Sequence, residues 1–268
     1  MNKFIKDPGL PQHPRGWEYD LPSPNEPVLD GMVSSFINNP PSYVDPIYME
    51  LACSTVSARG VGACCAIVWV MFCGAILLFI FSEMVSDGFY SLQLMCALLL
   101  GLGAAAWVFT CIWRLDTEAP RDEPVRFNRV RRKVYVYRFL YSARRPFSRR
   151  AWGVSARVYE WDCLRAEYCT VYGPMGAGGL IQTVYLAAVD SATGKVVDRF
   201  VFAHSRREGE MYWAMAKLYM QEGPESVPKF DNPPQGWDSE VQLDKVARRF
   251  APEVDWPEAM DIESRTIP

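Results

Sequence analysis

The side chains best suited to chemistry are few and widely spaced in this sequence. There are two histidines, His13 in a proline-rich stretch and His204 at a predicted strand-to-helix junction. Neither stands in a nucleophile or metal-ligand motif, so His204 reads as a junction residue. The eight cysteines are Cys53, Cys64, Cys65, Cys73, Cys96, Cys111, Cys163 and Cys169, and no two have CxxC spacing. They read as small apolar residues and not as metal or redox sites, with a lipidated cysteine near a membrane as the minor alternative. The segment Gly173-Pro-Met-Gly-Ala-Gly-Gly179 lacks the Lys-Ser/Thr of a phosphate loop and precedes a strand, so it reads as a plain loop. An enzyme would need acidic residues or Cys163 assembled in a way that no spacing announces. The sequence thus predicts no catalytic residue, no metal site and no cofactor.

Positive charge is the one chemical feature that is concentrated. From Arg114 to Arg165 there are 14 Lys and Arg against 6 Asp and Glu, in a chain of net charge −3. Within that stretch Arg144, Arg145, Arg149 and Arg150 cluster beside Pro146, Phe147 and Trp152. Beside an anionic leaflet, each basic residue near the surface contributes about 1 kcal/mol of attraction, making these four the predicted headgroup or partner contacts. The competing reading is a solvated surface that only enforces topology. Nucleic acid is not expected as a partner, because the chain as a whole is acidic and its aromatics belong to strand patterns.

What must position this cluster is a membrane anchor. Residues 61–82 and 92–113 are apolar and carry no Asp, Glu, Lys or Arg. Each exceeds the roughly 20 residues that a helix needs to cross a hydrocarbon core, and the polar segment 83–91 allows only a tight turn. A transmembrane hairpin is predicted, ahead of a buried helical pair, which would show a polar stripe. Arg59 precedes the first span, and Arg114, Arg121, Arg126, Arg129, Arg131, Arg132 and Lys133 follow the second, whereas the intervening loop holds only Glu83 and Asp87. Both termini are therefore expected in the cytoplasm, with Trp107, Trp113, Phe89 and Tyr90 at the interfaces. Ala97, Gly101 and Ala105 recur every fourth residue and predict a close helix-packing face, echoed by Gly62 and Ala66. That face packs the hairpin on itself or, alternatively, serves a homo-oligomer or another membrane protein.

Four regions follow. Residues 1–58 form a proline-rich cytoplasmic arm, expected to lie along the folded domain largely without regular structure, with 48–57 opening an interfacial helix. Residues 59–114 are the hairpin. Residues 115–230 read as a cytoplasmic β-rich domain. Its strand-like stretches are 125–128 and 133–139 around a basic turn, one extended stretch 158–172, and a hairpin 180–189 and 195–202 around Asp190-Ser-Ala-Thr-Gly194. The helix 206–222 closes it, with Ser205 and Glu208 as a capping box and Gly223-Pro224 as the stop. Residues 231–268 are an acidic tail, peripheral or mobile, with one helix over 239–250. The fold class expected is an α+β membrane protein: a transmembrane helical hairpin plus a cytoplasmic pleckstrin-homology-like barrel or sheet closed by one helix.

The run Pro124-Val-Arg-Phe-Asn-Arg-Val-Arg-Arg-Lys-Val-Tyr135, the strand with Tyr159-Glu-Trp161 and the helix end Leu218-Tyr-Met-Gln-Glu-Gly-Pro224, all after a hairpin, carry a resemblance. The order resembles an uncharacterised family of proteobacterial two-span membrane proteins, often encoded beside type VI secretion toxins and regarded as immunity proteins. The resemblance covers residues 60–228 and leaves the arm and the tail outside. It names no catalytic residue. It implies a multi-pass protein of the bacterial inner membrane that contacts lipid and binds a cognate toxin without turnover. A phospholipid-headgroup-binding scaffold is the alternative function.

Overall fold

The computed structural model describes residues 11–28, 40–53, 60–86, 92–173, 179–230 and 251–268. Two helices, α1 (Val61–Ser86) and α2 (Leu92–Glu118), form an antiparallel pair. Each runs four or five residues past its predicted span, and both are long and apolar enough to cross a membrane. Their large side chains point outward, among them Val68, Met71, Phe72, Leu78, Phe79, Leu99 and Leu100. A core helix of a water-soluble domain would bury these, so the pair needs an apolar surrounding. Of the small-residue stripe, Ala105 is buried, Gly101 lies with space for a Cβ only 3.6 Å from the Leu77 side chain, and Ala97 is exposed. Ala63 and Ala66 are the buried small residues of α1.

The head consists of two antiparallel sheets. One has the order β2 (Tyr43–Val44), β3 (Tyr48–Leu51), β4 (Val125–Asn128), β5 (Lys133–Leu140), β6 (Gly153–Glu160). The other has the order β1 (Trp17–Asp20), β7 (Leu164–Gly173), β8 (Gly179–Val189), β9 (Val196–Ala203). The strands do not close into a barrel. Helix α3 (Arg206–Glu222) instead covers the space between the sheets, touching β8 and β9 on one side and β3 and β4 on the other. Its cap is as expected, the Ser205 side chain accepting from the Glu208 backbone N–H. Phe127, Val134, Trp161, Leu186, Phe202, Trp213 and Met215 fill the common core. Each such fully buried side chain contributes about 1.5–3 kcal/mol.

Three expectations are corrected. The arm is not without regular structure: β1 extends one sheet and β2–β3 the other, and 48–51 is a strand instead of the start of an interfacial helix. The reason is non-local, since β3 pairs Leu51 with Val125 and Tyr48 with Asn128 on an otherwise open edge of β4. Asp45 starts the strand by accepting from the backbone N–H groups of Ile47 and Tyr48, both at 2.7 Å. The single stretch 158–172 is two strands in different sheets, broken by a 3-10 turn at Trp161–Cys163 whose indole is fully buried as the corner of the core. The tail, finally, lies outside the head as expected but is docked on it over 251–268 instead of loose. It crosses the outer face of β4 and β5 as a strap ending in α4 (Glu258–Arg265), with Trp256 on Tyr137 at a ring-centroid distance of 5.2 Å. The helix expected over 239–250 and the aromatics Phe89 and Tyr90 lie outside the described residues.

Candidate functional site

The two helices of the hairpin are tied together at their head-side ends by one polar residue. Asp116, in the last turn of α2 and 7% exposed, accepts through Oδ2 from the backbone N–H groups of Gly60 and Ala63, each at 2.8 Å. A carboxylate from the end of one helix thus satisfies two orphan donors at the start of the other and sits on the positive end of its dipole.

Beside this junction the segment 141–152 folds back against α2. The Trp107 indole N–H donates to the Ala143 carbonyl at 2.9 Å. Arg114 donates to the Pro146 carbonyl at 2.5 Å and, through Nε and Nη2, to the Glu118 carboxylate at 2.7 and 2.8 Å. Its guanidinium lies 4.6 Å from the Trp152 ring centre. Phe139, Trp152 and Ala119 form a small core under the loop. Trp107 lies eleven residues before the helix end, about 16 Å along its axis at 1.5 Å per residue. The loop is therefore held alongside α2, back from the helix end by that distance.

On this loop the structure brings together the four predicted arginines. Arg144, Arg145, Arg149 and Arg150 are exposed, the last two in a 3-10 turn Arg149–Ala151, and Phe147 is 66% exposed between them. Among the described residues no carboxylate pairs with any of the four. Elsewhere in the head arginine is absorbed internally: Asp198 accepts from Arg138 at 2.9 Å, from Arg157 at 2.5 Å and from the Tyr159 hydroxyl, tying β5 and β6 to β9. Burial, then the hydrogen bond to Asp198, pushes the Tyr159 hydroxyl upward. An open cleft of about 620 Å³ adjoins the junction, walled by Leu115, Phe139, Tyr141, Phe200, Val201 and His204. His204 is exposed at the strand-to-helix junction, as expected.

One constellation escaped the sequence reading, His13, Asp20 and Glu167, whose ligand atoms lie within 4.8 Å of one another. The fully buried Glu167 carboxylate already accepts from Arg165 at 2.5 Å and Arg199 at 2.7 Å. Two guanidinium groups occupy the place a cation would take, so the cluster is a structural ion pair. Cys169 is buried and its thiol is pushed up to about 11 by that burial, so it is a poor nucleophile.

A two-sheet head joined to a pair of helices long and apolar enough to cross a membrane defines a mixed α/β protein. The family of unknown function (DUF6708) matches residues 104–268, and the chain belongs to it. The match begins inside α2 and includes the C-terminal strap, correcting the expectation that the similarity runs over 60–228 and stops before the tail. No curated protein and no solved structure matches the chain.

Proposed function

We propose that this is an inner-membrane interaction protein that neutralises a cognate type VI secretion toxin by binding it, without turnover. The toxin role is what the resemblance implies. The physical support is the 141–152 loop docked on α2 through Trp107 and Arg114, which holds the head against the anchor, where an incoming membrane-active toxin must pass. The pairing of β3, before the hairpin, with β4, after it, supports reading the arm and the head as on one side of the bilayer. The basic excess on that side favours the cytoplasm. The finer reading of the head as pleckstrin-homology-like rests only on strands followed by one amphipathic helix.

The test is growth of sensitive cells expressing the neighbouring gene's product, alone, with the full chain, or with a chain whose 61–118 is replaced by an unrelated two-span hairpin. Rescue by the full chain is expected, and rescue by the exchanged chain assigns binding to the head. No rescue by the full chain sinks the proposal.

A specific observation favours a second reading, headgroup binding: the four exposed arginines around Phe147 on a loop fixed to α2. In nanodiscs, the protein's melting temperature should rise with the fraction of anionic lipid and fall again with salt. Replacing Arg144, Arg145, Arg149 and Arg150 by Ser should abolish the dependence. A lipid-independent melt in the parent protein counts against it.

A further inference from the structure

Strands β7 and β8 pair along their whole length, from Leu164 with Ala188 to Gly173 with Gly179. Their neighbours stop earlier. β9 reaches only to Val184, paired with Ala203, and β1 reaches Cys169, with Gly16 accepting from the Thr170 N–H just beyond. Residues 171–173 and 179–181 therefore project beyond both neighbours as a two-stranded ribbon, about 10 Å past Thr170 at 3.3 Å per residue.

The register also gives its direction. β7 leaves the core corner at Trp161, whose N–H donates to Arg132 in the β4–β5 turn, the end of the head away from the helices. β5 runs from that turn to Phe139, which packs on Ala119 just past α2. β9 ends at Val201 and His204, which line the same cleft as Leu115 of α2. Continuing past Val184 and Ala203 carries the ribbon toward the side from which α1 and α2 depart.

Its chemistry is unlike a water-facing ribbon. Val171, Tyr172, Leu180 and Ile181 are 44%, 82%, 48% and 43% exposed. Val171 faces Ile181 and Tyr172 faces Leu180 in register, so successive pairs make both faces apolar where a solvated ribbon would alternate. From Tyr168 to Val189 the sequence holds no Asp, Glu, Lys or Arg. An uncharged projecting strand pair in water is an aggregation surface unless something apolar covers it.

We propose that the tip of the β7–β8 ribbon is a second membrane contact, inserting Val171, Tyr172, Leu180 and Ile181 into the interfacial zone of the bilayer that the hairpin spans. The occupant is phospholipid because the ribbon extends toward the side of the head from which the helices leave and lacks any charge with which to select a polar partner. Tyr172 has the amphipathic ring suited to the headgroup level. The proposal rests on the hairpin crossing a bilayer and is independent of the toxin role.

The test uses the full chain in nanodiscs containing an alkyne-tailed phospholipid, with p-benzoylphenylalanine introduced one site at a time. Tyr172→p-benzoylphenylalanine and Leu180→p-benzoylphenylalanine probe the ribbon from both strands; both positions are exposed, so folding should survive. Leu100, 75% exposed on α2, is the buried-in-lipid control, and Val130, 43% exposed in the β4–β5 turn, is the water control. Lipid adducts at 172, 180 and 100 but not at 130 are expected. Adducts at 100 with none at 172 or 180, or adducts there only to protein, overturn the proposal. Failure at 100 as well overturns the spanning reading and the proposal with it.

Discussion

Arg126 shows how one side chain fastens a terminus. Its side chain is 4% exposed, pairs with Glu50 of β3 and with Asp261 of α4 at 2.5 Å, and donates to Ser264 at 2.9 Å. Its guanidinium lies between the rings of Tyr48 and Trp256, at 5.4 and 4.5 Å from their centres. Arg126→Ala should lower stability by about 2–3 kcal/mol, below the loss for a fully enclosed pair because both carboxylates keep some water. It should also free 251–268 for limited proteolysis; an unchanged digestion pattern would sink the assignment. Arg126→Lys should rescue poorly, since an ammonium cannot serve the planar fork. In the sequence Arg126 was legible only as one of a basic run. The four loop arginines were legible as a cluster, because their role depends on exposure and proximity in the chain. Arg126 was not, because its partners lie 76 and 135 residues away.

At the scale of elements, the pieces that declared themselves are those stabilised locally. The 206–222 helix has its own cap and stop, and the Asp190–Gly194 turn has its own hydrogen bonds, with Gly194 at φ +65°. The two apolar helices are set by composition alone. β1, β2, β3 and the strap were missed because short segments between prolines become strands or docked coil only against a surface supplied by distant residues. The Asp116 cap was missed for the same reason, although an acid at the end of an apolar helix with no basic neighbour to pair it is a signal in itself. Asp116→Ala should cost about 1–2 kcal/mol and fray the start of α1, with Asp116→Asn milder. Equal denaturation of Asp116→Ala and parent in mixed micelles would refute the cap. The strap carries a pH dependence of definite sign. The hydrogen bond from Lys133, at 2.8 Å, holds the Glu263 carboxyl below its ordinary 4.5, opposed only by slight burial. A carboxylate lowered in the folded state gives stability that is complete above that ordinary value and is lost as pH falls through the folded one. Strap protection against proteolysis by an acid-active protease should therefore fade below about pH 4.5, and Glu263→Gln should flatten the profile.

For the whole molecule, the sheet that contains β3 and β4 is interrupted in sequence by the entire hairpin, since Leu51 and Val125 are register partners. The N-terminal arm is thus a structural part of the head. Removing residues 1–53 should strip both sheets of an edge, baring β4 and β7, and give aggregates on size exclusion in detergent where the parent runs as a discrete species. A monodisperse, cooperatively melting truncation would contradict this. The same interruption fixes an order of events during synthesis. The arm emerges from the ribosome first, yet beyond the short β2–β3 pairing its strands find no partners until α1 and α2 have been made and β4 and β7 follow them. When α1 and α2 pair, the two strands are returned to the same surface and a closure of some seventy residues becomes a short one. A chain whose two helices stay apart keeps β3 and β4 separated by that full length, so completion of the head is a built-in report that the hairpin has closed.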